Sequence, residues 1–361
     1  MNQQQFDALL ALGVKKGVSD VHLEVGYPPT YRVNGALYAA RMEPLKPQDT
    51  AAAAGFVLRD QPGPMNQEVD RGYSIAGTAR FRASVFSQRG SYGMVLRVIP
   101  FEIPSFDQLF LPPVLKSIAQ LRDGLVLFTG ATGQGKSTTI ASLLQQINAQ
   151  DRVHIVTLED PIEFLYPVGQ SLVVQRELGA DTLSFKSALR AAMRQDPDII
   201  MVGEMRDPET ADTCLKAAET GHMIVSTLHT TDVLRTINRF VGLFPAEEQG
   251  LARARLAEVL KAVVCLRLLP RKDGRGMLPA CEILVNTLSA AQAIRDPAKT
   301  NELPSIMEKT ASELGTQTFD QHLLTMVQRG LITLDVARAN ATSANNIDRA
   351  LALDPSLGRM G

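Results

Sequence analysis

The sequence predicts an α/β protein in which a small α+β domain precedes a larger domain built on a parallel sheet. Strand-like and helix-like segments alternate from residue 114 to 285, an order typical of parallel sheets covered by helices. Prolines and phenylalanines cluster just before this region, and the prolines favour extended or turn conformations. We therefore expect a first domain over residues 1–99, a proline-rich linker over 100–113, the parallel-sheet domain over 114–285 and a helical C-terminal region over 286–361.

The composition excludes several classes of protein. Lys plus Arg number 37 and Asp plus Glu number 38, giving a formal charge of −1, so a main role in neutralising nucleic-acid phosphates is not expected. The three cysteines are far apart, with no C-x-x-C pair, which argues against a disulfide framework and a cysteine zinc site. No signal peptide and no apolar run of membrane-spanning length is evident. These features predict a cytoplasmic protein.

Charged and apolar residues alternate along the strands predicted in the first domain. In ARFRASVF, residues 79–86, every second residue is apolar, and Arg80 and Arg82 occupy the opposite face. A later strand carries Arg97. Arginines on one strand face could reach a phosphate presented by a neighbouring domain. The alternative is a solvated sheet face.

The parallel-sheet domain opens with a phosphate-binding loop. GATGQGKS, residues 130–137, fits the pattern G-x-x-x-x-G-K-[ST] at every fixed position. An apolar run at 125–128 precedes it, and apolar residues at 140, 143, 144 and 147 indicate a helix after it. A glycine turn with a solvated lysine is the alternative. The predicted nucleotide-binding residues are Gly130, Ala131, Thr132, Gly133, Gln134, Gly135, Lys136, Ser137 and Thr138.

The residue types in this loop indicate which chemistry it would support. Glycines let backbone N–H groups close around phosphate oxygens, and the N-terminus of the following helix favours negative charge. Lys136 would contact the β- and γ-phosphates, and Ser137 would coordinate Mg²⁺. The sequence therefore predicts ATP and Mg²⁺ as ligands.

Carboxylates follow two of the predicted strands. Glu204 follows an apolar strand, where nucleotide hydrolases place a carboxylate beside Mg²⁺; a surface residue at a strand end is the alternative. Glu159 and Glu163 follow another strand, and one of them could orient or deprotonate the attacking water. A turn built on Asp160-Pro161 explains that segment equally well.

Two histidines flank a further strand, HMIVSTLHT. Seven residues of alternation place His222 and His229 on opposite faces unless the strand ends between them. His229 follows the strand in a loop and is the better candidate to contact a phosphate. His222 could equally be a structural histidine.

Taken together, the motifs identify a family. The chain resembles the hexameric ATPases of type IV pilus and type II secretion machines in the order and spacing of SDVHLEVGYPPTYRVNG, GATGQGKSTT, HIVTLEDPIE, VGEMRD and AAETGHMIVSTLHT. Within that family it is similar to the pilus retraction ATPases, because it begins almost directly at the SDVH motif and lacks the four-cysteine zinc motif of assembly and secretion members. GTQTFD, residues 315–320, resembles a C-terminal motif of the retraction group.

The resemblance implies a PAS-like N-terminal domain, a RecA-like ATPase domain and a six-membered ring that binds ATP between the two domains. It assigns Glu163 as the catalytic base, Glu204 as the metal-side carboxylate of the catalytic site, and His229 as a residue near the phosphates. Arg80, Arg82 and Arg97 resemble the arginines that reach the nucleotide from the N-terminal domain. The implied partners are further copies of the chain and a pilus platform protein at the cytoplasmic face of the inner membrane.

Some residues depart from the family pattern. Ala131 and Gln134 stand where many members have Pro and Ser, Leu266 stands where principal retraction motors often have Gln, and SAAQAI at 289–294 replaces an AIRNLI-like motif. RKDGRG and VNT, residues 285–287, are more similar to an accessory retraction ATPase, and the VGEMRD and LHTT stretches are more similar to a principal one. The resemblance therefore adds a paralogous retraction ATPase to the implied partners.

Three other functions remain as alternatives: an assembly or secretion ATPase, a DNA-translocating motor, and a regulatory module that binds ATP with negligible turnover. The missing cysteine motif argues against the first, the near-neutral charge against the second, and the two carboxylates Glu163 and Glu204 against the third.

Overall fold

The computed structural model describes residues 1–33, 35–58, 68–99, 102–342 and 344–353, so positions 100–101 of the predicted linker and 354–361 of the predicted C-terminal region lie outside the described residues. The chain divides into two compact units. The first contains Met1–Glu102 together with Glu159–Tyr166 and Arg176–Thr182, and the second contains the rest. The domain boundaries inferred from the sequence stay a prediction, and they do not include these two later segments in the first domain.

A six-stranded antiparallel sheet with two helices forms the body of the first unit. Its strand order is β3-β2-β1-β6-β5-β4. In chain order the elements are α1 (Gln3–Lys15), β1 (Asp20–Leu23), β2 (Thr30–Val33), β3 (Ala36–Ala39), α2 (Pro47–Leu58), β4 (Val69–Ile75), β5 (Ala79–Gln88) and β6 (Ser91–Ile99).

The alternation read from the sequence sets the faces of this sheet. Along β5, Phe81, Ala83 and Val85 are buried in the core of the unit, as predicted. Arg80 and Arg82 lie on the other face because successive side chains of a strand point to opposite sides. The first unit therefore has one apolar face covered by helices and one polar face that carries arginines.

The second unit contains the parallel sheet and most of the helices. In chain order its elements are α3 (Val114–Ile118), β7 (Gly124–Thr129), α4 (Lys136–Gln150), β8 (His154–Glu159), β9 (Leu172–Glu177), α5 (Phe185–Ala192), β10 (Ile199–Val202), α6 (Pro208–Glu219), β11 (Met223–Leu228), α7 (Val233–Val241), α8 (Gln249–Val259), β12 (Leu260–Pro270) and β13 (Met277–Val285). The end of β9 belongs to the first unit.

The seven-stranded sheet has the order β13-β12-β7-β11-β10-β8-β9. Strands β8, β10, β11, β7 and β12 run parallel, and β13 pairs antiparallel with β12. Every residue of β7, β10 and β11 is buried, as expected for parallel strands covered on both faces. This architecture confirms the predicted α/β class. The carboxyl ends of β7, β11 and β10 lie side by side at one edge, and this places the functional residues.

Helix boundaries follow local sequence signals. Ser184 caps α5 by accepting a hydrogen bond from the Ser187 N–H, and Asp207 caps α6 with Pro208 at its first turn. None of the helices among the described residues combines the length and the apolar character needed to cross a bilayer.

The C-terminal region is helical, as predicted. It contains α9 (Leu288–Arg295), a short 3₁₀ turn (Thr300–Glu302), α10 (Leu303–Lys309), α11 (Ala311–Leu314), α12 (Phe319–Gln328), α13 (Leu334–Asn340) and α14 (Ala344–Leu353).

The GTQTFD motif and the start of α12 cover the edge strand β13. The N–H groups of Ile283 and Gln317 each donate to the other residue's carbonyl oxygen, at 2.8 and 2.9 Å. The Gln317 amide donates to the Cys281 carbonyl at 2.9 Å, and the Cys281 N–H donates to His322 Nδ1 at 2.9 Å. The motif therefore satisfies main-chain groups that a sheet edge would otherwise leave unpaired.

Candidate active site

The phosphate-binding loop connects β7 to α4, the strand–loop–helix arrangement that the motif requires. Gly130, Gly133 and Gly135 have φ angles of 147°, 79° and 84°, which favour glycine. A Cβ atom on Gly130 would also lie 2.6 Å from the Leu266 carbonyl oxygen on β12. The loop therefore depends on glycine for its backbone shape and for its close approach to the neighbouring strand.

Lys136 is buried where the loop passes into α4. Its Nζ atom donates to the carbonyl oxygens of Gly130 and Ala131 at 2.8 and 3.0 Å. The same atom lies 3.5 Å from Nδ1 of His229. The structure thus brings together Lys136 and His229, two of the residues predicted from the sequence to contact phosphate.

Glu204 follows β10, the strand next to β11. One carboxylate oxygen lies 3.3 Å from His229 Nε2, and the other lies 2.7 Å from Arg206 Nη2. Burial alone would raise the pKa of Glu204, but the hydrogen bond from Arg206, the interaction with His229 and the positive charge of Arg206 hold it below its usual value. The carboxylate is therefore ionised at neutral pH and can bind a cation.

His222 lies at the opposite edge of the sheet. It precedes β11, whereas His229 follows β11 at the edge that carries the phosphate-binding loop. The ring Nδ1 of His222 lies 3.0 Å from the Ala217 carbonyl oxygen and 3.2 Å from Thr220 Oγ1, at the end of α6. These contacts favour the structural interpretation of His222.

The second pair of predicted carboxylates belongs to the first unit. Glu159 is buried, and its Oε2 accepts the Glu163 N–H at 3.4 Å across the cis Asp160-Pro161 turn. Glu163 itself is exposed. Its role as catalytic base stays a prediction.

The three arginines assigned to the nucleotide also belong to the first unit, and each is paired there with a carboxylate. Arg80 pairs with Glu177, Arg82 with Asp70 at 2.9 Å, and Arg97 with Asp20 at 2.8 Å. Because of these pairs, an arginine that contacts a phosphate has to leave or share its carboxylate. The contact of Arg80, Arg82 and Arg97 with nucleotide stays a prediction.

Sequence analysis missed Glu177, whose side chain is 3% exposed. Its carboxylate pairs with Arg80 and accepts the N–H groups of Gly72 at 2.9 Å and Ile162 at 3.2 Å. It thereby joins β4, β5 and the segment 159–166. Those partners lie far from it along the chain, so no local motif could indicate this role.

A further contact missed from the sequence fixes the phosphate-binding loop to β12. The side-chain oxygen of Gln134 accepts the Leu268 N–H at 2.6 Å. Gln134 is a residue that departs from the family pattern, and the sequence analysis assigned its side chain no role. The structure shows that this chain uses it to attach the loop to the adjacent strand.

The residues at this edge suit a nucleotide with Mg²⁺. Main-chain N–H groups at the start of α4 can donate hydrogen bonds to phosphate oxygens, and Lys136 supplies a positive charge. The hydroxyl of Ser137 and the ionised carboxylate of Glu204 are hard oxygen donors of the kind that Mg²⁺ prefers. The donor set therefore fits Mg²⁺ held together with phosphate oxygens.

Comparison with known proteins supports the interpretation of this site as a nucleotide site. Residues 79–333 match the family of type II/IV secretion system proteins. The chain is 41% identical to the type IV pilus ATPase PilU of Pseudomonas aeruginosa, over 95% of this chain and 90% of that protein. It is also 41% identical to the type IV pilus retraction ATPase PilT of Pseudomonas aeruginosa, over 94% of this chain and 98% of that protein.

A solved structure has a similar fold. The crystal structure of the pilus retraction motor PilT with bound ADP has a TM-score of 0.84 and 38% sequence identity, and the match covers 97% of this chain and 99% of that chain. The family resemblance inferred from the sequence motifs is thereby confirmed. The chain belongs to the family of type II/IV secretion system proteins.

Proposed function

We propose that this protein is a Mg²⁺-dependent ATPase that drives retraction of type IV pili. The observation that carries the proposal is the convergence of Lys136, His229 and Glu204 at the edge of the sheet where the phosphate-binding loop begins. The relatives named as pilus ATPases and as a retraction motor support the same assignment.

The first part of the reaction is the capture of the nucleotide phosphates. Lys136 now donates to two loop carbonyl oxygens, and we infer that it turns from them towards the β- and γ-phosphates when ATP binds. Main-chain N–H groups of residues 130–138 surround the phosphates. The lysine is thus held near its working position by contacts that a phosphate can replace.

Bound Mg²⁺ would neutralise charge on the phosphate oxygens. Ser137 and Glu204 would hold it, directly or through water. Glu204 is also paired with His229 and Arg206, so holding a metal would change the contacts of both partners. His229 is thereby linked to both the lysine and the carboxylate and can report phosphate occupancy to the chain that follows β11. Glu163 would orient or deprotonate the attacking water.

The motor function requires more than one copy of the chain. We propose a homohexamer in which Arg80, Arg82 and Arg97 complete the nucleotide site and move with nucleotide state. The ring would lie in the cytoplasm against the inner membrane and act on a pilus platform protein. No nucleic acid takes part.

The comparisons do not separate a principal from an accessory retraction ATPase, because PilT and PilU relatives are equally identical to this chain at 41%. The chain acts either alone or with a paralogous retraction ATPase. The rival functions are an assembly or secretion ATPase and a regulatory module with negligible turnover.

Substitution of the loop lysine tests the enzymatic part. Lys136→Ala should lower ATP hydrolysis by at least about a hundredfold, because it removes a charge that contacts the transferred phosphoryl group. Lys116→Ala is a matched control, since Lys116 is an exposed residue paired only on the surface with Asp107. Normal hydrolysis by the Lys136→Ala protein would overturn the proposed ATPase site.

Imaging of pili in a deletion strain tests the biological part. We expect strains that lack this gene, alone or together with a paralogue, to extend pili without retracting them. Complementation with the wild-type gene should restore retraction, and complementation with the Lys136→Ala gene should not. Normal retraction in both the single and the double deletion contradicts a retraction role, and loss of pilus extension favours an assembly ATPase.

A further inference from the structure

A buried group of threonine hydroxyls lies directly behind the candidate site. Thr236 on α7 is fully buried, and Thr129 and Thr230 are buried as well. Thr236 Oγ1 lies 2.7 Å from Thr230 Oγ1 and 3.3 Å from Thr129 Oγ1. We call Thr129, Thr230 and Thr236 the threonine cluster.

The members of the threonine cluster stand next to the reactive residues in the sequence. Thr129 is the last residue of β7 and directly precedes Gly130, the first residue of the phosphate-binding loop. Thr230 directly follows His229. The hydroxyl of Thr236 therefore links the chain that leads into the loop with the chain that leaves the histidine.

The chemistry of a hydroxyl explains why a single threonine can make this link. Thr236 also donates to the Asp232 carbonyl oxygen at 2.7 Å. A hydroxyl has one proton and two lone pairs, so Thr236 shares its proton between the Asp232 carbonyl oxygen and the more distant Thr129 Oγ1, and it can accept a hydrogen bond from Thr230 Oγ1. A buried hydroxyl that lost its partners would remain desolvated without compensation, so the arrangement resists change.

The start of α7 is fixed from a second side. The buried carboxylate of Glu282 on β13 accepts the Val233 N–H at 2.7 Å. The Asp232 side chain caps the same helix through the Arg235 N–H at 2.8 Å. The loop between His229 and α7 is thus held at its helix end, and the threonine cluster holds it at the end next to the histidine.

We propose that Thr236 is a positioning residue for ATP hydrolysis: through Thr129 and Thr230 it fixes His229 against Lys136 and Glu204. This inference rests on the proposed ATPase function. The contacts to be maintained are the 3.5 Å between Lys136 Nζ and His229 Nδ1 and the 3.3 Å between His229 Nε2 and Glu204. Small misplacement of a reacting group can cost about a hundredfold in rate.

The first experiment compares kinetics of full-length variants. Thr236→Val keeps the shape of the side chain and removes the hydroxyl; we expect kcat for ATP to fall about tenfold while the Kd for a fluorescent ADP analogue changes less than about threefold. Thr236→Ser keeps the hydroxyl and should retain kcat within about threefold. The matched control is Thr213→Val, which removes a buried hydroxyl that donates to the Glu209 carbonyl on α6.

The pattern across these variants decides the proposal. Wild-type kcat in Thr236→Val, an equal loss in Thr213→Val, or an equal loss in Thr236→Ser would each overturn it. The Thr230→Val variant gives a second route if Thr236→Val folds poorly. If the two hydroxyls act through their shared contact, the double variant should lose no more kcat than the worse single variant. Multiplicative losses would count against the link.

A second readout does not depend on turnover. In the nucleotide-free protein, amide hydrogen exchange over residues 229–233 should accelerate in Thr236→Val and stay unchanged in Thr213→Val. Unchanged exchange in Thr236→Val would overturn the positioning role. If the wild-type protein hydrolyses no ATP, the proposed function fails, and this exchange measurement still tests the structural link.

Discussion

The Nε2 atom of His229 lies 3.3 Å from a carboxylate oxygen of Glu204, while Nδ1 of the same ring lies 3.5 Å from Lys136 Nζ. One imidazole therefore contacts both the group that would receive phosphate and the group that would receive the metal. A change at either group alters the surroundings of the same ring.

Glu204→Gln should lower kcat for ATP by about a hundredfold or more, because it removes an anion that would hold Mg²⁺ at the phosphates. Binding of a fluorescent ADP analogue should weaken far less, since the loop and Lys136 remain. The measurement is steady-state ATPase activity alongside equilibrium binding. Glu209→Gln is the control, because Glu209 is an exposed residue of α6 paired with Lys186 on the surface. Similar kcat values for the two variants would exclude the assigned role of Glu204.

Gly72→Ala should destabilise the first unit by about 1–3 kcal/mol. A Cβ atom at this position would lie 2.5 Å from Arg80 Nη2 and 2.7 Å from Glu177 Oε2, both of which are held by their ion pair. Gly55→Ala on α2 is the control, since its Cβ would meet nothing within 4 Å and alanine favours helix. Urea unfolding followed by circular dichroism is suitable because the chain has no Trp. Equal unfolding free energies for the two variants would contradict the prediction, because they would mean that the segment 176–182 can move away from the added Cβ without destabilising the unit.

Because of the buried His322, we expect the free energy of unfolding to increase with pH. Burial, together with the charge of Arg329, lowers the pKa of His322 from 6.5 to about 4. The unfolded chain therefore binds a proton at His322 near pH 6.5, whereas the folded chain binds it only near pH 4. The free energy of unfolding consequently decreases as pH falls through this window. Between pH 7 and pH 5 we expect His322→Gln to lose about 2 kcal/mol less unfolding free energy than wild type. Parallel pH curves for the two proteins would contradict this prediction.

The buried Glu282 should have the opposite effect and lower the free energy of unfolding as pH rises. Burial raises the pKa of Glu282 from 4.5 to about 7, although the Val233 N–H opposes the shift. The folded chain retains a proton that the unfolded chain releases, so stability falls as pH rises from 4.5 towards 7. Glu282→Gln stays neutral, and its unfolding free energy relative to wild type should rise by about 2 kcal/mol between pH 5 and pH 8. A constant difference would show that the carboxylate is not protonated in the fold.

The two pH effects cancel in part in the wild-type protein. They overlap between about pH 4.5 and 6.5 and have opposite signs. The stability of the wild-type protein therefore changes little with pH in this range. Each single variant removes one of the two opposing effects, so its pH dependence shows the contribution of the residue that remains. The double variant His322→Gln/Glu282→Gln should show the weakest dependence of the set.

Much of the fold and part of the site could be predicted from the sequence because the signals are local. The apolar alternation of β5, the caps Ser184 and Asp207, and the strand–loop–helix around the phosphate-binding loop each lie within a few residues. The order of parallel strands then brings His229 and Glu204 to the loop, since neighbouring strands end at one edge.

The remainder could not be predicted because it depends on contacts between distant residues. Glu177 is joined to Gly72 across 105 positions, and Gln134 is joined to Leu268 across 134. Nothing in a short window distinguishes these side chains from surface residues. The inclusion of residues 159–166 and 176–182 in the first unit is likewise a result of packing.

The hydrogen bonds between β13 and residues 317–322 have a consequence for how copies of the chain can associate. With Gln317 and His322 bound to the backbone of Cys281 and Ile283, this stretch of the outermost strand has no spare main-chain groups to offer. Another polypeptide cannot extend the sheet there without first displacing α12. Copies of the chain therefore cannot polymerise by continuous strand addition at this stretch of β13.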